Sequence, residues 1–197
     1  MGESVAVRAT IEAKGYDWRL FSQRIVEVFD FVDGGVSQRR MYAMLADVAL
    51  DKAATVAMNN ALEFRGGSTS VTLGILDGFF SALLASDRET ALGFLADKAT
   101  LVDSVYGVVS GPENVLDAIA GTPRPAFGSS RVTRSFAGVK DGMVETAIDP
   151  SRPRRADWVR IVDGKIMVIE AYWMLREIGV QPESYQARYP KQVILPI

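Results

Sequence analysis

The feature that most constrains the fold is a series of four β-type runs in the second half of the chain. The runs are Arg131 to Val139, Met143 to Ile148, Arg155 to Val162 and Lys165 to Leu175. The turn sequences between them are Asp141-Gly142, Asp149-Pro150 and Asp163-Gly164. Short runs of this kind that are joined by tight-turn dipeptides predict an antiparallel sheet built from consecutive hairpins.

The segment before these strands is mostly helical in pattern. Leu73, Leu76, Phe79, Phe80, Leu83 and Leu84 follow helical spacing, and a short second helix follows them. Ala99 to Tyr106 is typical of a strand, and a further helix begins near Pro112 and ends at Gly121. The order predicts an α+β fold in which a strongly curved antiparallel sheet wraps around a helical hairpin and leaves an open cone with an apolar pocket.

The first 70 residues are predicted to be a mostly helical extension. Ser4 to Lys14 alternate in polarity and predict a strand or an extended arm. Apolar residues three to four apart predict one helix from Tyr16 to Val32, and a second from Ser37 to Leu62. The small polar stretch at 66–70 reads as a linker. We therefore expect an extension over 1–70, the main domain over 71–180 and a tail over 181–197.

Composition excludes several classes of function. The chain has no cysteine and no histidine, which removes thiol nucleophiles, histidine-based triads and most zinc or iron sites. A formal net charge of −2 does not suit nucleic-acid binding. The sequence has no apolar run long enough for a membrane span and no signal-peptide pattern, so we expect a cytoplasmic protein that binds neither nucleic acid nor membrane. We expect no metal and no cofactor, and acid–base chemistry has to come from Asp, Glu, Tyr, Lys or Arg.

Two segments resemble ketosteroid isomerase and SnoaL-like members of the NTF2-like superfamily. The first is Ala99-Thr100-Leu101-Val102-Asp103 after the short second helix. The second runs from Asp157-Trp158-Val159-Arg160-Ile161 through the turn at Gly164 to Ala171-Tyr172-Trp173. The resemblance covers about residues 71 to 180. It implies an NTF2-like cone that dimerises through the outer face of its sheet.

The resemblance also implies roles for individual residues. Asp103 stands where the family has its general base, and Asp157 where a protonated aspartic acid stabilises the enolate oxygen. The implied pocket wall consists of Phe79, Tyr106, Ile169, Ala171 and Trp173. Phe79 occupies the position at which ketosteroid isomerases carry a tyrosine hydroxyl, and a phenyl ring donates no hydrogen bond.

Other interpretations of these residues remain open. Asp103 can cap a turn, and Asp157 can form an ion pair with Arg155 two residues away on the same strand face. A two-residue turn at Asp163-Gly164 would put Glu170 and Tyr172 on the Asp157 face. A three-residue turn with a bulge would instead put Ile169, Ala171 and Trp173 there, as the resemblance favours.

Two functional hypotheses follow. The first is a small-molecule isomerase, dehydratase or cyclase that acts on an apolar or enone-type ligand through Asp103 and Asp157. The second is a non-catalytic ligand-binding or dimerisation module of the same fold.

Overall fold

The computed structural model of the protein describes residues 3–14, 20–44, 68–103, 107–120, 131–147 and 155–174. The strands are β1 (Glu3–Lys14), β2 (Leu20–Val32), β3 (Gly35–Met44), β4 (Leu95–Asp103), β5 (Gly107–Ser110), β6 (Arg131–Ala137), β7 (Asp141–Ala147), β8 (Arg155–Val162) and β9 (Lys165–Trp173). The helices are α1 (Thr69–Leu84), α2 (Arg88–Phe94) and α3 (Pro112–Ala120). None of these helices is both long and apolar enough to cross a membrane.

All nine strands belong to one curved sheet, which the described strands leave unclosed. The order along the sheet is β1-β2-β3-β9-β8-β7-β6, and β4 lies beside β9 and also pairs with β5. Every pairing is antiparallel except that of β4 with β9. The predicted α+β class and curved, mostly antiparallel sheet are confirmed.

The three helices pack against the concave face of the sheet. Their core includes Phe79 and Phe80 of α1, whose rings meet edge to face with centroids 5.3 Å apart. Ile169 and Ala171 of β9 belong to the same cluster and are fully buried. The predicted helical hairpin and the four C-terminal strands are confirmed, whereas the short strand β5 was not predicted. Tyr106 lies outside the described residues, as do residues 66–67 of the predicted linker and the tail over 181–197. The rest of the predicted linker forms the N-cap, Ser68, and the first two residues of α1.

The helical extension predicted at the N-terminus is wrong for the described part of residues 1–70. The strand predicted from Ser4 is present as β1, but the predicted helix from Tyr16 to Val32 is replaced over its described part by β2, and β3 replaces the beginning of the second helix. The rest of that second helix, 45–62, lies outside the described residues, and the domain boundaries stay predictions.

Local chemistry explains the change from helix to strand. The sequence from Ile25 to Val32 is rich in β-branched and aromatic residues, which favour a pleated surface. Asp33 and Gly34 both have positive φ angles, of 51° and 77°, as a two-residue hairpin turn requires. Asp33 and Gly34 therefore close a hairpin at the point where the predicted helix was to end.

The β8–β9 hairpin combines parts of the two predicted registers. Its turn has two residues, because Val162 pairs directly with Lys165. A register shift then follows between Arg160 and Ile161, so that Asp157 pairs with Ala171. Directly opposed residues share one face of a sheet. Ile169, Ala171 and Trp173 therefore lie on the Asp157 face, while Glu170 and Tyr172 point to the convex face.

Strands β1 to β3 fold back over this convex face. Val26, Val28 and Tyr42 pack there against Met143 and Tyr172 in one buried cluster. Two glutamates are buried in the same layer, Glu170 held by two arginines of the N-terminal strands and Glu145 by one. Those contacts are Arg8 Nη1 to Glu170 Oε2 at 3.0 Å, Arg24 Nη1 to Glu170 Oε1 at 3.1 Å, and Arg40 Nε to Glu145 Oε1 at 2.9 Å.

This layer predicts a difference between two neighbouring arginines of β3. Arg40→Met should lower the free energy of unfolding by about 3–5 kcal/mol, because it leaves the Glu145 carboxylate buried without its main cation. Arg39 is more than half exposed and pairs with Glu27, so Arg39→Met should cost below about 1 kcal/mol. Urea denaturation of both variants tests this, and equal losses would contradict the structural role of Arg40.

Candidate functional site

Asp103, Arg155 and Asp157 form a buried charged set on the concave face. Asp103 ends β4, while Arg155 and Asp157 lie two residues apart near the start of β8. Asp103 and Asp157 both have Ala171 of β9 as their cross-strand neighbour, from opposite sides. Because opposed residues share one face of a sheet, the two carboxyl groups project from the same face, on either side of the small Ala171 side chain. The structure thus brings together the two predicted catalytic residues.

Arg155 connects the two carboxyl groups. Its Nε donates to Oδ1 of Asp157 at 2.6 Å, and its Nη2 contacts the same oxygen. Its Nη1 lies 3.9 Å from Oδ2 of Asp103. The ion pair that was the alternative interpretation of Asp157 is therefore present. It does not move Asp157 away from the site, because all three side chains are almost completely buried.

Trp173 holds the guanidinium from a third side. Arg155 and Trp173 are cross-strand neighbours, and the Arg155 Cζ atom lies 5.1 Å from the centre of the indole ring. A cation at this distance over an indole is attracted by the electron-rich face of the ring. Trp173 also pairs with Ala43 of β3 and packs against Ile25 of β2. The N-terminal strands thus support the site through Trp173.

Burial makes the Asp157 carboxyl a weaker acid than usual. Loss of water raises the pKa of this carboxyl from 3.8 to about 6, and the negative charge of Asp103 acts in the same direction. The guanidinium of Arg155 opposes this rise. Asp157 is consequently a group that exchanges a proton close to neutral pH, which is where a general acid or base is most effective.

The predicted wall residues are divided between two environments. Phe79, Ile169 and Ala171 are fully buried in the cluster between helices and sheet, and Trp173 lies at the junction with the N-terminal strands. Two clefts of about 840 Å³ and about 630 Å³ open elsewhere, one beside Trp158 and one beside Lys165, and neither is lined by Asp103 or Asp157. Within the described ranges, no group of three or more acidic side chains could hold a metal ion.

Arg155 is the member of the site that sequence reasoning did not place among the functional residues. The signal was present, because residues i and i+2 of a strand project from the same face. Arg155-Ala156-Asp157 therefore aligns a cation with the predicted acid. The structure buries this cation, because the Arg155 side chain is only 3% exposed.

Comparison with solved structures gives matches over about half of the chain. A candidate ketosteroid isomerase from Kribbella flavida shares 17% identity at a TM-score of 0.44, over 54% of this chain and 80% of its own. An NTF2-like protein of unknown function from Burkholderia xenovorans shares 19% identity at a TM-score of 0.45, over 57% of this chain and 94% of its own. A candidate polyketide cyclase from Sinorhizobium meliloti shares 19% identity at a TM-score of 0.41, over 50% of this chain and 93% of its own.

The other comparisons gave no match. No family model matches the sequence, and no curated protein matches it significantly.

The elevated pKa of Asp157 predicts a specific pH dependence of stability. A carboxyl whose pKa is 3.8 unfolded and about 6 folded binds more protons in the folded state between these values. The contribution of Asp157 to the free energy of unfolding therefore decreases as pH rises. The total decrease is about 3 kcal/mol, at 1.36 kcal/mol per pKa unit. The difference in unfolding free energy between the wild type and Asp157→Asn should shift by about 2.4 kcal/mol from pH 4 to pH 7, in favour of the variant. A constant difference would show that Asp157 has an ordinary acidity.

Proposed function

We propose that the protein is a small-molecule enzyme that transfers a proton beside a carbonyl group, as an isomerase, dehydratase or cyclase does. The observation that carries this proposal is the burial of Asp103, Arg155 and Asp157 together on one face of the sheet. Removing three charges from water costs several kcal/mol per ion before their attraction is counted. Such sets, with a pKa displaced towards neutrality, are typical of catalytic sites.

In this proposal the two carboxyl groups have different tasks. Asp103 is the base that takes a proton from the carbon beside the carbonyl group. Asp157 is the acid, because its pKa of about 6 leaves part of its population protonated near neutral pH. The proposed ligand is a small apolar or enone-type molecule whose apolar part contacts Phe79, Ile169, Ala171 and Trp173, and Tyr106 is proposed as a further contact.

A homodimer through the convex face also stays a prediction. Strands β1 to β3 cover this face around Glu170 and Tyr172 within the same chain. A second copy would therefore have to contact the part of this face that β1 to β3 leave uncovered.

Turnover of β,γ-unsaturated ketones, from a keto-steroid to small cyclic enone precursors, tests the proposal through the ultraviolet absorbance of the conjugated product. Asp103→Asn should lower kcat/KM by a factor on the order of 10²–10⁴, the usual effect of losing a general base. Asp97→Asn is the matched control, because Asp97 lies on the same strand but is exposed.

The pH profile of the same reaction separates the roles. With Asp157 as the acid, activity should fall as pH rises through about 6, since the protonated fraction is lost. An activity that rises through this range would make Asp157 the base. Turnover that Asp103→Asn leaves intact would overturn the assignment of Asp103.

The second candidate is a non-catalytic ligand-binding module. It is favoured by the phenyl ring of Phe79, which provides no hydroxyl group and is packed edge to face on Phe80 in the core. Ligand binding without turnover, unchanged in Asp103→Asn, is the result expected for this alternative.

A further inference from the structure

The Arg155 guanidinium uses only part of its hydrogen-bonding capacity. Its Nε and Nη2 sides engage Asp157 Oδ1, while its Nη1 atom is buried and has no hydrogen-bond partner among the described residues. Asp157 Oδ2 is likewise buried without a partner in this part of the chain. Buried polar groups in proteins are nearly always paired, so these two unpaired atoms of one site need an explanation. In a catalytic site, a bound substrate is such an explanation, because it supplies the missing hydrogen-bond partners.

From this arrangement we infer that Arg155 is a catalytic residue whose Nη1–H donates to the oxygen of an enolate, and that the substrate class is an enolisable ketone or aldehyde. The inference rests on the proposed function, since the enolate arises there. It assigns to Arg155 the role that the side chain of Phe79 cannot perform. A cationic donor in a water-excluded site stabilises a developing oxyanion more strongly than a neutral one.

The spacing of the site fits such a substrate. Arg155 Nη1 and Asp103 Oδ2 lie 3.9 Å apart, too far for a direct hydrogen bond. The carbon beside a carbonyl group is only two bonds from the carbonyl oxygen. One substrate can therefore present its C–H to Asp103 and its oxygen to Arg155 at the same time. The Trp173 ring keeps the guanidinium from turning away from this position.

The proton and electron balance of the step is closed. The C–H bond breaks, its proton moves to Asp103, and its electron pair forms a carbon–carbon double bond as the carbonyl electrons move onto oxygen. The negative charge thus leaves the carboxylate of Asp103 and appears beside Arg155. Reprotonation at another carbon of the enolate returns the base to its starting form. No oxidant, reductant or second substrate is needed.

The probe for this role is 4-nitrophenol, because its ionised form resembles an enolate and absorbs at a longer wavelength than the neutral form. Wild-type protein should bind the phenolate in preference to the phenol. Arg155→Lys should weaken this binding roughly 10- to 100-fold, since an ammonium group cannot serve Asp157 and a ligand oxygen in the same fork geometry. The variant keeps the positive charge and is therefore expected to fold.

Two further variants make the test specific. Arg160→Lys is the matched control, because Arg160 is a buried arginine of the same strand that pairs with Asp141, and it should leave phenolate binding unchanged. Asp103→Asn imitates the base after it has accepted the proton. It should bind the phenolate more tightly than the wild type does, although the same change abolishes turnover.

The outcomes separate this inference from the proposed function. Phenolate binding that depends on Arg155, in a protein without ketone turnover, would support the anion site and overturn the enzyme proposal. Ketone turnover that Arg155→Lys leaves unchanged would support the enzyme proposal and overturn the role of Arg155 as an oxyanion donor. If the probe binds as the neutral phenol, or if Arg155→Lys and Arg160→Lys behave alike, Arg155 is not an oxyanion donor. In Arg155→Lys, a loss in kcat of about 10²- to 10³-fold with little change in KM is the kinetic result expected.

Discussion

A charged side chain that leaves water has to find an opposite charge within contact distance, and this requirement organises both faces of the sheet. On the convex face, the glutamates at 145 and 170 are buried only because arginines of β1, β2 and β3 reach them. On the concave face, one arginine is shared by two aspartates. Each carboxylate of the first arrangement contacts an arginine of its own, whereas in the second a single arginine among the described residues contacts both carboxyl groups.

The alternation of strand β9 separates these two systems. Glu170 and Tyr172 point into the layer covered by the N-terminal strands, while Ala171 and Trp173 face the Asp157 side. A shift by one residue would exchange the two sets and bury Glu170 beside the two aspartates, without a cation for it. The bulge after the tight turn at Asp163-Gly164 prevents this, because it restores the register in which Asp157 faces Ala171. Backbone geometry at the turn thus determines the chemistry of the site.

Much of the fold was predictable from the sequence because its signals are local. The β-type runs and the turn at Asp163-Gly164 identified the C-terminal strands, and apolar periodicity identified the helical hairpin. The turn predicted at Asp141-Gly142 is wrong, because both residues belong to β7. The N-terminal strands were misassigned because apolar residues of β2 also satisfy a helical spacing, and because their partners are distant in sequence. Tyr42 and Glu145, for example, are 103 residues apart and share a hydrogen bond. The arginines that fix this layer pair with residues that no local pattern could identify.

The role of Arg155 shows why the site could be predicted only in part. Sequence spacing places Arg155 and Asp157 on one face, but it does not say whether the pair lies in water or in the core, and the meaning of the pair depends on that. In water it would be a weak surface contact with an ordinary carboxyl pKa. In the core, loss of water outweighs the arginine in setting the pKa of Asp157, so the same contact coexists with a group that titrates near pH 6. The ion pair and the acid, which were alternatives in the sequence, are therefore compatible in the folded protein.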